Sequence, residues 1–290
     1  MAIDYQKLMA LKIPDGHQTY TYKDTILYAL SIGYGTDPLN TEELPFVYEK
    51  DIRAVPSMAG VLAHPGFWAR DLDTGIDWVR MVHSEMGLIL HKPLPPNASL
   101  ISKSRILEVV DKGEGRGAIV QHERMFLDRN SGELLCTSVQ SIFCRGDGGF
   151  GGPPRSLQPP HPMPERPADW IHEQATTPGM ALLYRLNGDW NPLHADPKIA
   201  NKAGFERPIL HGLATYGVAC KALLDTVCEN DPSRLASIFC RFTAPVYPGE
   251  TLRTEIWLDG NVVSYRVKAL DRDLIVLNNG KAELREPIYT

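Results

Sequence analysis

Eleven residues, Tyr184 to His194 (Tyr-Arg-Leu-Asn-Gly-Asp-Trp-Asn-Pro-Leu-His), carry the most legible chemistry in this 290-residue chain. They set a carboxylate, Asp189, a few residues before an imidazole, His194. Gly188, Asn191 and Pro192 punctuate the run, so the two groups belong on a loop rather than a helix. The loop follows an apolar stretch, Met180 to Leu186, that reads as a strand. A carboxylate and a histidine held together can share one water, which is the minimal equipment for general acid–base catalysis. Taken singly, Asp189 also suits an Asx turn and His194 a satisfied structural histidine. A metal site built on Asp189, His194 and Asp196 lacks further His or Cys spacing, so no metal is expected.

Whole-chain properties set the limits. Hydrophobic content of 43% and charged content of 22% are those of a globular protein with a real core. A net charge of −5 argues against a general nucleic-acid surface but leaves room for a local basic patch. The five cysteines, Cys136, Cys144, Cys220, Cys228 and Cys240, form no C-x-x-C pair, so neither a disulfide framework nor structural zinc is expected. The N-terminus reads as no signal peptide and no apolar run approaches membrane-spanning length. The last residues are not a peroxisomal tripeptide, so the expected location is the cytosol.

The elements that must position the loop come in two sets. A Gly/Pro-rich segment, 148–167, opens on Gly148-Gly149-Phe150-Gly151-Gly152 and separates an N-terminal unit (1–147) from a C-terminal unit (168–290). Pro93-Leu94-Pro95-Pro96 and Pro245-Val246-Tyr247-Pro248 begin similar turns at an offset of 152 (245 − 93), and Pro56 and Pro208 keep it. That register points to an internal duplication. Strand patterns cover Leu100–Val110, Ala118–Leu127 and Leu134–Phe143 in the first unit. In the second they cover Leu235–Phe242, Leu252–Leu258, Val262–Leu270 and Leu274–Leu284. Thr21 can cap a helix from Tyr22, with Asp24 closing the box and Ile26, Leu27 and Leu30 on one face. A second helix, apolar nearly all round, runs over Ile209 to Val227. The expected fold is α+β: two similar antiparallel sheets, each with a long buried helix.

The run ending at His194, with Gly204-Phe205, Pro208-Ile209-Leu210-His211-Gly212 and Arg241-Phe242-x-x-Pro245-Val246-Tyr247-Pro248-Gly249, resembles the MaoC-type (R)-specific 2-enoyl-CoA hydratase (hydratase 2) family. The likeness covers nearly the whole chain and is closest to two-domain members, which share the Gly-Gly-Phe-Gly-Gly linker and the Asp111-Lys112-Gly113 turn. It implies a double hot-dog fold whose N-terminal unit has lost its catalytic segment and accommodates the acyl chain and CoA. Two positions depart from the family pattern. Asn187 stands where Ser, Thr or Cys is usual, and His83-Ser84-Glu85 replaces His-Gly-Glu, which weakens a backbone contact at Ser84.

By that resemblance Asp189 and His194 hold a water jointly, with either able to be the base, and the product is a (3R)-3-hydroxyacyl-CoA. Asn191 fixes the loop or holds Asp189 through its amide. Gly212, at the start of the second helix, is the expected backbone donor to the thioester oxyanion. His83, Ser84, Lys112, Trp190, His211 and Phe242 are the expected substrate and CoA contacts. No cofactor beyond the substrate's own CoA is implied, the partner is an acyl-CoA thioester, and a homodimer is expected. Competing readings are a dehydratase of the same fold acting on branched, dicarboxylic or steroid side-chain acyl-CoA or on acyl-ACP, an acyl-CoA-binding protein without turnover, and a thioesterase.

Overall fold

The computed structural model describes residues 2–153 and 159–285. Part of the linker (154–158) and the extreme C-terminus (286–290), including the tripeptide considered above, lie outside the described residues. The ten strands are β1 (Gly16–Tyr20), β2 (Met81–Leu90), β3 (Ala98–Asp111), β4 (Ala118–Asp128), β5 (Leu134–Cys144), β6 (Trp170–Ala175), β7 (Leu235–Phe242), β8 (Thr251–Asp259), β9 (Val262–Ala269) and β10 (Leu274–Leu284). They form one continuous sheet in the order β1-β3-β4-β5-β2-β7-β10-β9-β8-β6. The two expected sheets are therefore joined edge to edge, and β2–β7 is the seam. Sharing a strand pair removes two open edges that would otherwise invite aggregation.

Read outward from the seam, the two halves repeat one strand order: β2-β5-β4-β3-β1 on one side, β7-β10-β9-β8-β6 on the other. Within the seam Gly87 pairs with Phe239. These two residues are themselves 152 apart (239 − 87), the offset carried by the prolines. A pseudo-two-fold axis thus passes through this pair, as it must when a duplicated strand pairs antiparallel with its own copy. Gly87 is required there, because a Cβ would lie 2.0 Å from Cδ1 of Phe239. The strand patterns read from sequence match seven of the strands closely, whereas β1, β2 and β6 were not anticipated.

The helices differ more from expectation. The Gly212–Thr226 helix is buried from Ala214 to Leu224 without a break, which explains its lack of a polar face. The first half holds no counterpart: the residues after Pro56 make only a five-residue 3-10 turn, Pro56–Gly60. Helix Tyr22–Ser31 starts where expected, and Thr21 N–H donates to Oδ2 of Asp24 at 2.8 Å. Its buried face is Thr25, Tyr28 and Ala29 rather than Ile26, Leu27 and Leu30, and Leu30 is exposed. Tyr28 turns inward because its hydroxyl finds Oγ of Ser57 at 3.0 Å. Met180–Tyr184 is a helix, not a strand. The stretch Met-Ala-Leu-Leu-Tyr contains no β-branched residue and is rich in good helix formers, a signal that apolar periodicity over so short a run obscured.

The linker contains no helix or strand among its described residues, and two of its glycines, Gly149 and Gly151, are anchored. The Asp111 carboxylate accepts from the N–H groups of Gly113 (2.7 Å), Gly149 (2.8 Å) and Gly151 (2.8 Å), tying the linker to the end of β3. All five cysteines are buried and free. No helix among the described residues is long and apolar enough to cross a membrane.

Candidate active site

The loop between Tyr184 and His194 is built from two 3-10 turns, Arg185–Asn187 and Pro192–His194, hinged at Gly188. Gly188 has φ +113°, which glycine adopts without strain. Asn191 caps the second turn: its Oδ1 accepts from Leu193 N–H at 3.0 Å, and its own backbone N–H donates to Oδ1 of Asp189 at 3.2 Å. Of the two roles weighed for Asn191, its side chain fixes the loop, while Asp189 is met by its backbone N–H and not by its side-chain amide. Asn187, the departure from the family pattern, donates through Nδ2 to Ser31 Oγ and Tyr184 O, both at 2.9 Å, and so ties the loop to helix Tyr22–Ser31.

A carboxylate oxygen of Asp189 and one ring nitrogen each from His194 and His211 lie within 4.8 Å of one another. The hydrogen bonds assign the tautomers. Nδ1 of His194 lies 2.8 Å from the Ile209 carbonyl. A carbonyl only accepts, so Nδ1 carries the proton and Nε2 keeps its lone pair. Nε2 of His211 meets the Asp189 carbonyl at 3.3 Å, which leaves its buried Nδ1 without a partner. The two rings stack at 3.7 Å. Burial depresses the pKa of both rings, and His194 further depresses His211. Both are therefore neutral at pH 7. The same trio has the spacing to hold a cation, with His211 rather than Asp196 as third donor. Asp196 is occupied in capping helix Pro197–Lys202.

Gly212 is the first residue of the long helix, where backbone N–H groups are unpaired within the helix and the dipole favours negative charge. A Cβ on it would lie 3.2 Å from the Phe242 ring. Phe242 in turn packs on His83 from β2, with ring centroids 4.9 Å apart. His83 and Phe242 thus reach the helix start from opposite sides of the seam. Ser84 occupies the β-bulge between His83 and Glu85, where its hydroxyl donates to Ser141 O at 2.9 Å. Lys112 is exposed and sits 5.7 Å from the Phe143 ring, whose strand partner Val82 precedes His83. Trp190 is 57% exposed and stacks under the Arg185 guanidinium at 4.9 Å.

One neighbour was not singled out from sequence. His64 comes from the first half and keeps an exposed surface; crowding by protein and then Arg124 lower its pKa, while the Asp189 carboxylate acts the other way. Ala63 before it has φ +43°, held by Gln18 Oε1 on its N–H (2.6 Å) and by the Ser102 hydroxyl on its carbonyl (2.5 Å). A lone histidine in a loop offers no periodic or motif signal. Only the fold brings it to Asp189.

Together these features define a double hot-dog protein whose second half carries the Asp189–His194 loop. Residues 160–279 match the MaoC like domain, and residues 18–146 match the MFE-2 hydratase 2 N-terminal domain. The chain is 40% identical to the enoyl-CoA hydratase 2, peroxisomal, of Arabidopsis thaliana, over 93% of this chain and 92% of that one. It is 37% identical to the peroxisomal multifunctional enzyme type 2 of Mus musculus, over 94% of this chain but 37% of that much longer protein. The crystal structure of a MaoC-like dehydratase from Phytophthora capsici superposes with a TM-score of 0.88 at 28% identity, covering 98% of this chain and 99% of that one. The chain belongs to the MaoC-like hydratase 2 family and is a hydro-lyase.

Proposed function

We propose that this chain hydrates trans-2-enoyl-CoA thioesters reversibly to (3R)-3-hydroxyacyl-CoA, with Asp189 and His194 sharing the reacting water. The observation that carries the reading is the cluster of the Asp189 carboxylate with a neutral histidine whose Nδ1 is spent on Ile209 O, beside a helix that starts on glycine. In this mechanism the Asp189 carboxylate accepts one water hydrogen and aims the oxygen lone pair at C3. His194 Nε2 takes the other proton as the O–C3 bond forms. The electron pair of the C2–C3 double bond moves toward the thioester oxygen, where Gly212 N–H receives the charge. His194 then returns its proton to C2, so the water is fully consumed and both residues are restored. Delivery from one loop to one face of the alkene accounts for a single stereochemical outcome.

His83, Ser84, Lys112, Trp190, His211 and Phe242 remain the proposed contacts to substrate and CoA. From the same family likeness we propose a homodimer, and sedimentation velocity checks its oligomeric state. The test of function is loss of conjugated enoyl-thioester absorbance with chiral analysis of the product. Asp189→Asn and His194→Gln should each reduce kcat by about 100-fold or more. Wild-type turnover in either variant would sink the assignment. Comparing CoA with ACP esters identifies the carrier, and free-thiol release would expose a thioesterase.

A further inference from the structure

The two halves share a strand order but not an interior. In the second half β9 buries Val263, Tyr265 and Val267 in the core cluster that contains the long helix. In the first half, with no long helix to cover it, the matching surface of β3, β4 and β5 carries a polar patch between apolar residues such as Val120 and Phe126. Arg124 on β4 pairs across to Ser104 on β3 and to Ser138 on β5. Residues directly opposite in antiparallel strands share a face, and His122 follows at the next same-face position.

Arg124 is only 2% exposed. Its Nη2 donates to the Gly60 carbonyl at 3.0 Å and its guanidinium lies 4.8 Å from the Phe126 ring. Among the described residues no carboxylate pairs with it, and Nε has no acceptor. Buried polar atoms of its neighbours are unpartnered too: Ser104 Oγ, Ser138 Oγ and His122 Nδ1. A buried guanidinium without an anion is costly to the fold, and burial alone pulls its pKa down to about 10. Native interiors rarely tolerate such a charge unless a partner arrives from outside.

The arrangement adjoins the reaction site. The Gly60 carbonyl that Arg124 holds belongs to the turn packed on the long helix: a Cβ at Gly60 would lie 3.3 Å from Met86 Cε and 3.8 Å from Leu213 Cδ2. Leu213 directly follows Gly212. His64 and His83 lie within the fields of both Arg124 and Asp189.

We propose that Arg124, with Ser104, His122 and Ser138 around it, forms a subsite for a carboxylate at the far end of the acyl group, so that the enzyme favours ω-carboxylated 2-enoyl thioesters. This rests on the hydratase reading above. A planar guanidinium with an open N–H and flanking hydroxyls suits a planar carboxylate, and such a pair forms with little reorganisation when the donors are already in place. A plain methyl terminus would leave the cation and three polar atoms unsatisfied.

The test uses the full-length protein and matched pairs of 2-enoyl-CoAs, methyl-ended and carboxylate-ended, from six to twelve carbons. Wild type should favour the carboxylate member in kcat/KM by about tenfold or more at some length. Arg124→Met should abolish that ratio while leaving the methyl-ended member within about threefold, and Arg124→Lys should retain part of it. Equal rates for both members at every length in wild type, or an unchanged ratio in Arg124→Met, overturns the subsite and leaves the hydratase reading standing. If Arg124→Met does not fold, Ser104→Ala/Ser138→Ala should lower the ratio instead. Calorimetry on wild type with saturated ω-carboxyacyl-CoA and acyl-CoA gives a readout independent of turnover. Tighter binding of the carboxylate member without hydration of any ester would retain the subsite and remove the hydratase assignment. Equal binding removes the subsite.

Discussion

Acidification should unfold this protein steeply, because it keeps several histidines neutral inside. His122 is 6% exposed, and burial followed by the Arg124 charge pushes its pKa down to about 3. Burial lowers His83 to about 4 and depresses His211, which is 1% exposed. Each native pKa lies below the value of about 6.5 in the unfolded chain, so the unfolded state takes up protons first as pH falls. Stability contributed by these groups is therefore complete above about pH 6.5 and declines as pH drops toward the native values. Near pH 5 the unfolded chain holds about three more protons on these sites, and at about 1.4 kcal/mol per proton per pH unit the slope is about 4 kcal/mol per unit. Two pH units at that slope consume most of a typical stability of about 5–15 kcal/mol. Urea unfolding at a series of pH values from 7 to 5, with m held as a check on two-state behaviour, measures the slope directly. His122→Gln should flatten it by about 1.4 kcal/mol per unit. A change below about 1 kcal/mol between pH 6.5 and 5 would refute the reasoning, since it would mean that these rings are protonated in the native protein or equally unavailable in the unfolded one.

Other substitutions probe the seam, the helix and the oxyanion donor. Gly87→Ala sets a Cβ against the Phe239 ring and should cost about 1–3 kcal/mol in chemical unfolding, with Phe239→Leu in the same chain recovering part. Lys221, 4% exposed, pairs with Glu43 at 2.7 Å and Asp225 at 2.6 Å, so Lys221→Met strands two acids and should cost about 3–5 kcal/mol. Adding Glu43→Gln should cost less than the sum of the two single changes. Gly212→Ala improves helix propensity by up to about 1 kcal/mol yet crowds Phe242, so kcat should fall by about tenfold or more while thermal stability holds or rises. Unchanged kcat would remove Gly212 from the oxyanion role.

The candidate loop was readable because its residues act locally: Gly188 takes positive φ, Asn191 caps, and Asp189 and His194 follow within one short segment. Strands β3 to β5 and β7 to β10 were readable because one face is more buried than the other, whereas the short edge strands β1 and β6 were not. The seam strand β2 was missed for a physical reason. It is paired on both sides, contains a bulge at Ser84 and a glycine at the pseudo-dyad, and so shows no clean alternation. His64, Arg124 and the continuity of the sheet were invisible because they depend on pairings between residues far apart in the chain. Met180–Tyr184 failed differently, since apolar spacing outweighed helix propensity in a segment too short to show a period.

The conserved offset of 152 links these observations. At the seam it is kept residue for residue, because Gly87 and Phe239 pair on the axis and Glu85–Arg241 and Ile89–Ser237 flank them symmetrically. At Pro56 and Pro208 it is also kept, yet the chain beyond diverges: one copy enters a buried helix led by Gly212, the other stops after Gly60. A helix deleted from a hot-dog interior leaves space that must be filled or used. The Gly60 and Ala63 carbonyls now accept from Arg124 and Ser102, side chains of the very sheet that the helix would have covered. The first half has therefore set a buried polar patch around Arg124 into an otherwise apolar core while preserving the seam with the second half. Such a patch weakens the half on its own, which is the cost that the proposed carboxylate subsite would offset.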